Sequence, residues 1–362
     1  MTEILDRAEI GDGAEIAAAH QLYAALVAQW QPAMLESASA LGIFDVLRSG
    51  AASSTAVAKS IGADERSVRV LLDALAAYGW VSGRDGVDGE PLYEVDESVA
   101  ACLTAGSMYS LIGKIGYNRS VSGDAWRKLD RVVREGISGH DGEIENNGIS
   151  AVAYEDLVTG INFWAPPIVD KITAWLRAAG WGAGEARDVL DIGCGSGVYG
   201  QLLLGDFPAA TATGVDAPNI LRIAAKQAAA LGVGERFEAR GADFWTSEWG
   251  TGRDLVIFAN IFHLVNPSGA EKLLEKARES VADDGIICIV DNIQVGGAET
   301  DSPQDRFAAL FAVSMMVTGG GATYRLAEYD EWLRVAELER VALLDAPMHR
   351  VILARPRREG SS

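Results

Sequence analysis

The chain has 362 residues, 49% of them apolar and 23% charged, with a formal charge of −20. This length allows two domains with cores of their own, and the acidic balance excludes a protein that grips nucleic acid through a basic face. Three scattered cysteines, Cys102, Cys194 and Cys288, supply no disulfide framework and point to a reducing compartment. The first residues lack a basic segment followed by an apolar one, and no run approaches the ~18 apolar residues of a membrane span. A cytoplasmic protein with no membrane partner is expected.

Residues 14–47 are rich in alanine and leucine. Leu22, Leu26, Trp30 and Met34 recur every fourth residue, which places them on one helical face, and Pro32 is expected to break or kink that helix. More apolar side chains stand here than one thin domain can bury, so these helices are expected to pack between the subunits of a homodimer. A short helix over 53–61, capped by Ser53 or Ser54, is followed by a turn at Gly62-Ala63-Asp64 and a second helix over 65–79. Trp80-Val81-Ser82 and Leu92-Tyr93-Glu94-Val95 then form a β-ribbon, giving the order of a winged helix. Across 53–79, Lys59, Arg66 and Arg69 are balanced by Asp64, Glu65 and Asp73. A helix meant for a DNA groove would be clearly basic, so a scaffold or dimerisation role is read for this region.

The middle of the chain connects. Met108–Ile112 and Trp126–Val133 look helical, and 139–148 is a polar, glycine- and asparagine-rich loop. His140 with Asp141, Glu143 and Glu145 in that loop is read as solvated rather than as a metal site. Residues 151–180 form one or two helices, and Phe163 and Trp164 are candidates for an aromatic wall lining a cleft. The boundaries expected are 1–105 for the N-terminal domain, 106–180 for the connection and 181–362 for an α/β domain.

The α/β domain opens on Asp188-Val189-Leu190-Asp191-Ile192-Gly193-Cys194-Gly195-Ser196-Gly197, a short apolar run, an acid, then glycine at every second position. Val198-Tyr199-Gly200-Gln201-Leu202-Leu203-Leu204 follows at helical spacing. The pattern is strand, tight turn, helix, with unpaired amides at the helix start available to a ligand. The stretch satisfies two fingerprints: G-x-G-x-x-G for a dinucleotide, and D-x-G-x-G-x-G for S-adenosylmethionine (SAM). One strand later Asp216 ends Ala212–Val215, where a carboxylate can accept from both ribose hydroxyls. Asp243 and Phe244 follow the third strand, an acid to accept from an adenine amino group and a ring to cover it.

The fourth strand, 254–259, runs into Asn260-Ile261-Phe262-His263-Leu264-Val265. Of the four histidines, His263 alone is expected just beyond a strand's carboxyl end, where a neutral imidazole can take a proton from a substrate hydroxyl. Asp291 ends the next strand, 286–291, and can orient that imidazole. A helix over 303–317 carries Met315 and Met316 as an apolar wall, and Gly319-Gly320-Gly321 is a turn. A helix over 326–337 and strands near 339–345 and 349–355 complete the sheet, the last of them antiparallel.

From about residue 20 to 356 this order resembles the small-molecule O-methyltransferases that carry an N-terminal winged-helix dimerisation domain, the plant phenol and bacterial antibiotic-tailoring type. The matching pieces are D-I-G-C-G-S-G, D-A-P, A-D-F-W, I-F-H, I-V-D and M-M-V-T-G-G followed by L-A-E-Y-D-E-W-L. The resemblance implies a mostly parallel Rossmann-like sheet, SAM as cofactor and methyl transfer to a hydroxyl of an aromatic or polyketide-like small molecule. Asp191, Gly193, Gly195, Asp216, Asp243, Phe244 and Asn260 are the expected cofactor contacts; His263 is the expected base and Asp291 its orienter, with no metal. Phe163, Trp164, Met315 and Met316 are the expected acceptor contacts. The chain departs from the family in three places. Leu264-Val265 stand where Asp-Trp usually follows the histidine, Ala259 where a lysine is common, and Ala322-Thr323 where a second acid often lies. Members with altered sites methylate carbon or nitrogen, or transfer no methyl group, and these are the alternative readings.

Overall fold

A computed structural model of the chain describes residues 13–86, 89–136, 151–182, 184–297, 302–318 and 321–358. The loop at 139–148, with His140, and Gly319-Gly320 lie outside them. The chain divides into two compact units, up to Ile112 and from Gly113.

The first unit opens with helix α1 (Gly13–Val27), in which no residue is buried, and α2 (Trp30–Ala40), with Pro32 in its first turn. Leu22, Leu26 and Trp30 are 66%, 67% and 59% exposed, an apolar stripe left open among the described residues. Helix α3 (Ile43–Arg48) and strand β1 (Ala52–Ser53) lead to α4 (Ser54–Ile61) and α5 (Glu65–Ala77). Each of the last two is capped by the side chain before it: Ser53 accepts from the Ala56 amide and Asp64 from the Ser67 amide. Strands β2 (Ser82–Asp85) and β3 (Pro91–Glu94) pair antiparallel, β1 joins the far side of β3, and α6 (Glu97–Leu103) closes the unit. Its core is Ile43, Phe44, Leu47, Val57, Leu72, Leu75 and the ring of Tyr93.

The second unit begins with short helices α7 (Ile112–Tyr117), α8 (Gly123–Trp126) and α9 (Leu129–Glu135). Helix α10 (Ala151–Gly160) then passes through a 3-10 turn at Asn162–Trp164 into α11 (Ala165–Ala178), which carries proline in its first turn. Beyond it alternate β4 (Asp188–Ile192), α12 (Val198–Asp206), β5 (Thr211–Asp216), α13 (Pro218–Ala230), β6 (Phe237–Gly241), β7 (Arg253–Ala259), α14 (Pro267–Ser280) and β8 (Val281–Asp291). Helices α15 (Pro303–Thr318) and α16 (Leu326–Val335) precede β9 (Leu338–Asp345) and β10 (Arg350–Pro356).

The seven strands stand in the order β6-β5-β4-β7-β8-β10-β9, and β10 alone runs antiparallel to its neighbours. Helices cover both faces, so the central strands are continuously apolar rather than alternating: Leu255, Val256, Ile257 and Phe258 are all fully buried. The strand order reverses between β4 and β7, which opens a crevice at their carboxyl ends. Because β10 is inverted, its beginning rather than its end reaches that same edge, with Arg350 in register with Asp291.

Candidate active site

The turn after β4 is built for close approach. Gly193, Gly195 and Gly197 hold φ of +64°, +56° and +73°, a region that strains any side chain. The space a Gly193 side chain would need is already filled by Ile261, and a Cβ on Gly195 would lie 3.3 Å from Val158 of α10. Asp216, at the end of β5, accepts from the Gly195 amide at 2.8 Å and the Ala217 amide at 2.6 Å. Beneath the turn, Asp191 accepts from the Gly200 amide at 3.2 Å through Oδ2 while its buried Oδ1 has no partner. Burial raises the carboxyls of both acids, that of Asp191 to about 7 despite the Gly200 amide. Asp243 caps its own turn, Oδ1 accepting from the Trp245 amide and Oδ2 from the Thr246 hydroxyl. The ring of Phe244 faces the glycine turn beside Ile261, its Cε1 3.9 Å from where a Gly193 Cβ would stand.

These residues fit SAM. Among the described residues no basic side chain pairs with Asp191 or Asp216, so two buried acids face the turn with amide partners only and an acceptor oxygen to spare. A ligand that brings hydroxyl and amino donors and a positive charge suits that donor set. Asp191, Gly193, Gly195 and Asp216 would hold it from the turn, Asp243 and Phe244 from the loop after β6. Two residues absent from the sequence reading join them on α10. Val158 packs on Gly195, and the phenol of half-buried Tyr154, with the Asp216 carboxylate nearby, is held above its ordinary pKa first by desolvation and then by that charge.

Across the crevice, β7 ends at Ala259 and Asn260 turns sharply, with φ of +62° and its amide on the Val290 carbonyl at 2.8 Å. The following 3-10 turn, Phe262–Leu264, delivers His263 to Asp291. One carboxylate grips that residue twice: Oδ2 accepts from the His263 backbone amide at 3.0 Å and Oδ1 from the ring Nδ1 at 2.7 Å. The Asn292 amide adds a third donor at 2.7 Å. Burial pushes the Asp291 carboxyl up, but the facing imidazole and these donors outweigh it and hold it below its usual range. With Nδ1 donating to the carboxylate, Nε2 carries the lone pair. The turn is braced from behind: the Ala322 amide donates to the His263 carbonyl at 2.9 Å, and the same carbonyl lies where a Gly321 side chain would stand.

A second histidine reaches this edge, one that the sequence reading passed over. His349, just before β10, is fully buried; its Nε2 meets Asn260 Oδ1 at 2.9 Å and its ring lies edge-on to Trp164, 4.7 Å between centroids. Burial pushes its pKa down to about 4, the His263 ring adding to the fall and Asp291 opposing it. It is therefore a neutral donor to Asn260 near neutral pH.

An aromatic chain lines the same region. Phe163 touches Trp164 (5.6 Å), Trp164 meets Phe307 (6.4 Å), Phe307 stacks on Phe311 (5.9 Å), and Phe311 stands edge-on to His263 (4.9 Å). Phe307 and Phe311 on α15 were not among the sequence candidates. Their spacing of four, continued by Met315, is the signal that marks them as one face. Met315 and Met316 lie further along α15 and are half-buried. Leu264 is 37% exposed.

Residues 183–337 match the O-methyltransferase domain model, and residues 25–105 match the O-methyltransferase dimerisation domain model. The chain belongs to the SAM-dependent O-methyltransferase family. The methyltransferase is 25% identical over 313 residues to a 3-hydroxy-5-methyl-1-naphthoate 3-O-methyltransferase of Streptomyces sahachiroi, covering 86% of this chain and 87% of the relative. It is 22% identical over 359 residues to a phenazine-1-carboxylate N-methyltransferase of Pseudomonas aeruginosa, covering 95% and 99%. Its fold matches human N-acetylserotonin methyltransferase, solved in complex with SAM, with a TM-score of 0.79, 19% identity and coverage of 97% and 99%. The methyltransferase uses SAM as its cofactor. Among the described residues no cluster of three or more His, Cys, Asp or Glu is placed to hold a metal, and no helix is long and apolar enough to cross a membrane.

Proposed function

We propose that this methyltransferase transfers a methyl group to a hydroxyl of an aromatic or polyketide-like small molecule, in natural-product biosynthesis, with His263 as general base. The observation that carries the reading is the double grip of Asp291 on His263, with Phe311 edge-on to the same imidazole. Asp291 fixes the ring by both its backbone and Nδ1, so the Nε2 lone pair is the one that takes the acceptor's proton. The imidazolium so formed is stabilised by the carboxylate that already faces it. When bound, SAM supplies an electrophilic methyl group. Asp191, Gly193, Gly195, Asp216, Asp243, Phe244 and Asn260 hold it, while Phe163, Trp164, Phe307, Phe311, Met315 and Met316 present flat apolar surface to the acceptor and exclude water. A phenol, with a pKa of ~10, needs this base near neutral pH.

The likeness to a naphthoate O-methyltransferase supports an aromatic hydroxyl as target. A nitrogen acceptor is the second reading, favoured by Leu264 in place of an acid and by the likeness to a phenazine N-methyltransferase. Incubation with SAM and a panel of hydroxylated naphthoates, phenols and phenazines, with the methylated position assigned by mass spectrometry and NMR, decides between them. O-methyl products are expected, and products methylated only on nitrogen or carbon overturn the reading.

The exposed stripe of Leu22, Leu26 and Trp30, the last two inside the segment matching the dimerisation model, supports a homodimer joined through its N-terminal helices. The winged-helix order of α4, α5, β2 and β3 serves there as scaffold. Sedimentation is expected to give a dimer for the wild type and a monomer for the Leu22→Glu/Leu26→Glu variant. A dimer that persists in the variant moves the interface elsewhere.

A further inference from the structure

The loop between β6 and β7 carries Asp243 and Phe244, and it is held by a residue that no motif marks. Lys276 sits in the third turn of α14, and its ammonium donates to three carbonyls of that loop: Phe244 at 2.9 Å, Trp245 at 2.9 Å and Ser247 at 3.0 Å. All three of its N–H groups are thereby used. The ring of Trp249 lies 4.8 Å from the same nitrogen, and its Nε1 donates to the Phe244 carbonyl at 3.0 Å, so that carbonyl is held twice. No carboxylate of the described residues pairs with Lys276 at ion-pair distance. Burial pushes its pKa down, with Glu248, Asp243 and Glu279 opposing from further off. A lysine placed for surface charge would sit in water or against an acid; this one is spent on backbone oxygens of a single turn.

The loop meets α14 at a second point. Gly269 in the first turn of the helix leaves room for the Trp245 indole, whose Cη2 would stand 3.3 Å from a Cβ there. At its other end the loop is tied to the ribose side, where the Ala242 amide donates to the Asp216 carbonyl at 3.1 Å. Helix α14 itself begins four residues after His263, with Asn266 as its cap. One helix thus starts at the candidate base and grips the loop that carries Phe244.

We propose that Lys276 is a positioning residue for SAM: by fixing three consecutive-turn carbonyls it holds Phe244 over the glycine turn before the cofactor arrives. This rests on reading Phe244 as the residue that covers the cofactor. Preorganisation of this kind appears as affinity, because the loop's ordering cost is met during folding rather than on binding. It touches neither the acceptor nor the reacting atoms.

The test is calorimetric titration of ligand-free wild type, Lys276→Met, Lys276→Arg and Phe244→Ala with SAM, together with hydrogen exchange of the ligand-free proteins. Lys276→Met is expected to weaken SAM binding about tenfold and to speed exchange of amides 244–249 with no ligand present. At saturating SAM its kcat and its KM for the acceptor should stay near wild type, and Lys276→Arg should restore part of the affinity. Wild-type affinity in Lys276→Met, alongside a loss in Phe244→Ala, overturns the proposal. If Phe244→Ala itself binds SAM as wild type does, the reading of Phe244 fails, a separate result. Should Lys276→Met not fold, Trp249→Phe removes one hydrogen bond to the Phe244 carbonyl while leaving Lys276. It is expected to weaken SAM binding by about threefold, and unchanged affinity there counts against the proposal.

Discussion

The two halves of the sheet's carboxyl edge use buried acids in opposite ways. On the β4–β5 side, Asp191 and Asp216 accept only from backbone amides, and burial raises both carboxyls. On the β7–β8–β10 side, Asp291 faces an imidazole as well as amides and is held low, while His349 is pushed down. The first half holds two buried carboxyls that have no cationic partner among the described residues. The second pairs its acid with an imidazole and backbone amides beside an aromatic wall. A cationic cofactor suits the first environment, and the crevice between β4 and β7 sets the second beside it.

The largest expected effect breaks the second half. His263→Ala removes the only imidazole with a free Nε2 at this edge among the described residues. It is expected to lower kcat on a hydroxyl acceptor by ~10²–10⁴ while SAM affinity measured by calorimetry stays near wild type. Turnover close to wild type on a confirmed acceptor removes the general-base assignment and leaves positioning as the source of rate. A loss of SAM affinity instead places His263 in the first half, and the division between the halves fails.

A smaller effect separates the halves by pH. The Asp191 carboxyl titrates at about 7 in the folded protein against 3.8 for the ordinary group. Between those values the folded state binds the extra proton, so this residue's contribution to stability falls as pH rises through the window. At ~1.36 kcal/mol per pKa unit, the cost above neutral pH is on the order of 4 kcal/mol in the ligand-free protein. Asp191→Asn keeps an oxygen for the Gly200 amide and removes the charge. Denaturant unfolding of ligand-free wild type and variant at pH 5 and pH 8 is expected to show the variant gaining on wild type as pH rises. A difference that does not change with pH shows that Asp191 is not held protonated.

The difference between the halves also explains how much of the site is legible from sequence. The cofactor half is local: Asp191, the three glycines and the helix start fall within ten residues, and their spacing states their geometry. Strand–helix alternation then places Asp216 and Asp243 at the same edge. The acceptor half is assembled at a distance, with 28 residues between His263 and Asp291 and 89 between Asn260 and His349. His263 and Asp291 are still readable, because the first closely follows a recognisable strand and the second ends one. His349 is not, because it precedes its strand; only the insertion of β10 antiparallel beside β8 brings its beginning to the functional edge. Phe307 and Phe311 look like ordinary apolar positions of a helix until the tertiary fold sets them against Trp164 and His263. Lys276 looks like any lysine on an amphipathic helix, since its partners are backbone oxygens that no side-chain pattern records.

The smallest effect belongs to His349 and runs against that of Asp191. Its pKa is about 4 in the folded protein against an ordinary value of 6.5. Between these the unfolded chain binds the proton and the folded one does not, so stability is lost on acidification from 6.5 toward 4. By the same conversion the loss at pH 4 is on the order of 3 kcal/mol. His349→Phe keeps the edge against Trp164, removes the titrating group and leaves Asn260 Oδ1 without its donor. At pH 7.5 the variant is expected to be about 1 kcal/mol less stable than wild type, the size of one lost buried hydrogen bond. At pH 4.5 that order should narrow or reverse, because only wild type carries the cost of a buried imidazole that cannot take its proton. Unfolding midpoints at the two pH values measure this directly. If the gap between wild type and variant stays constant, His349 titrates normally in the folded protein, and the acceptor half is wetter than its burial implies.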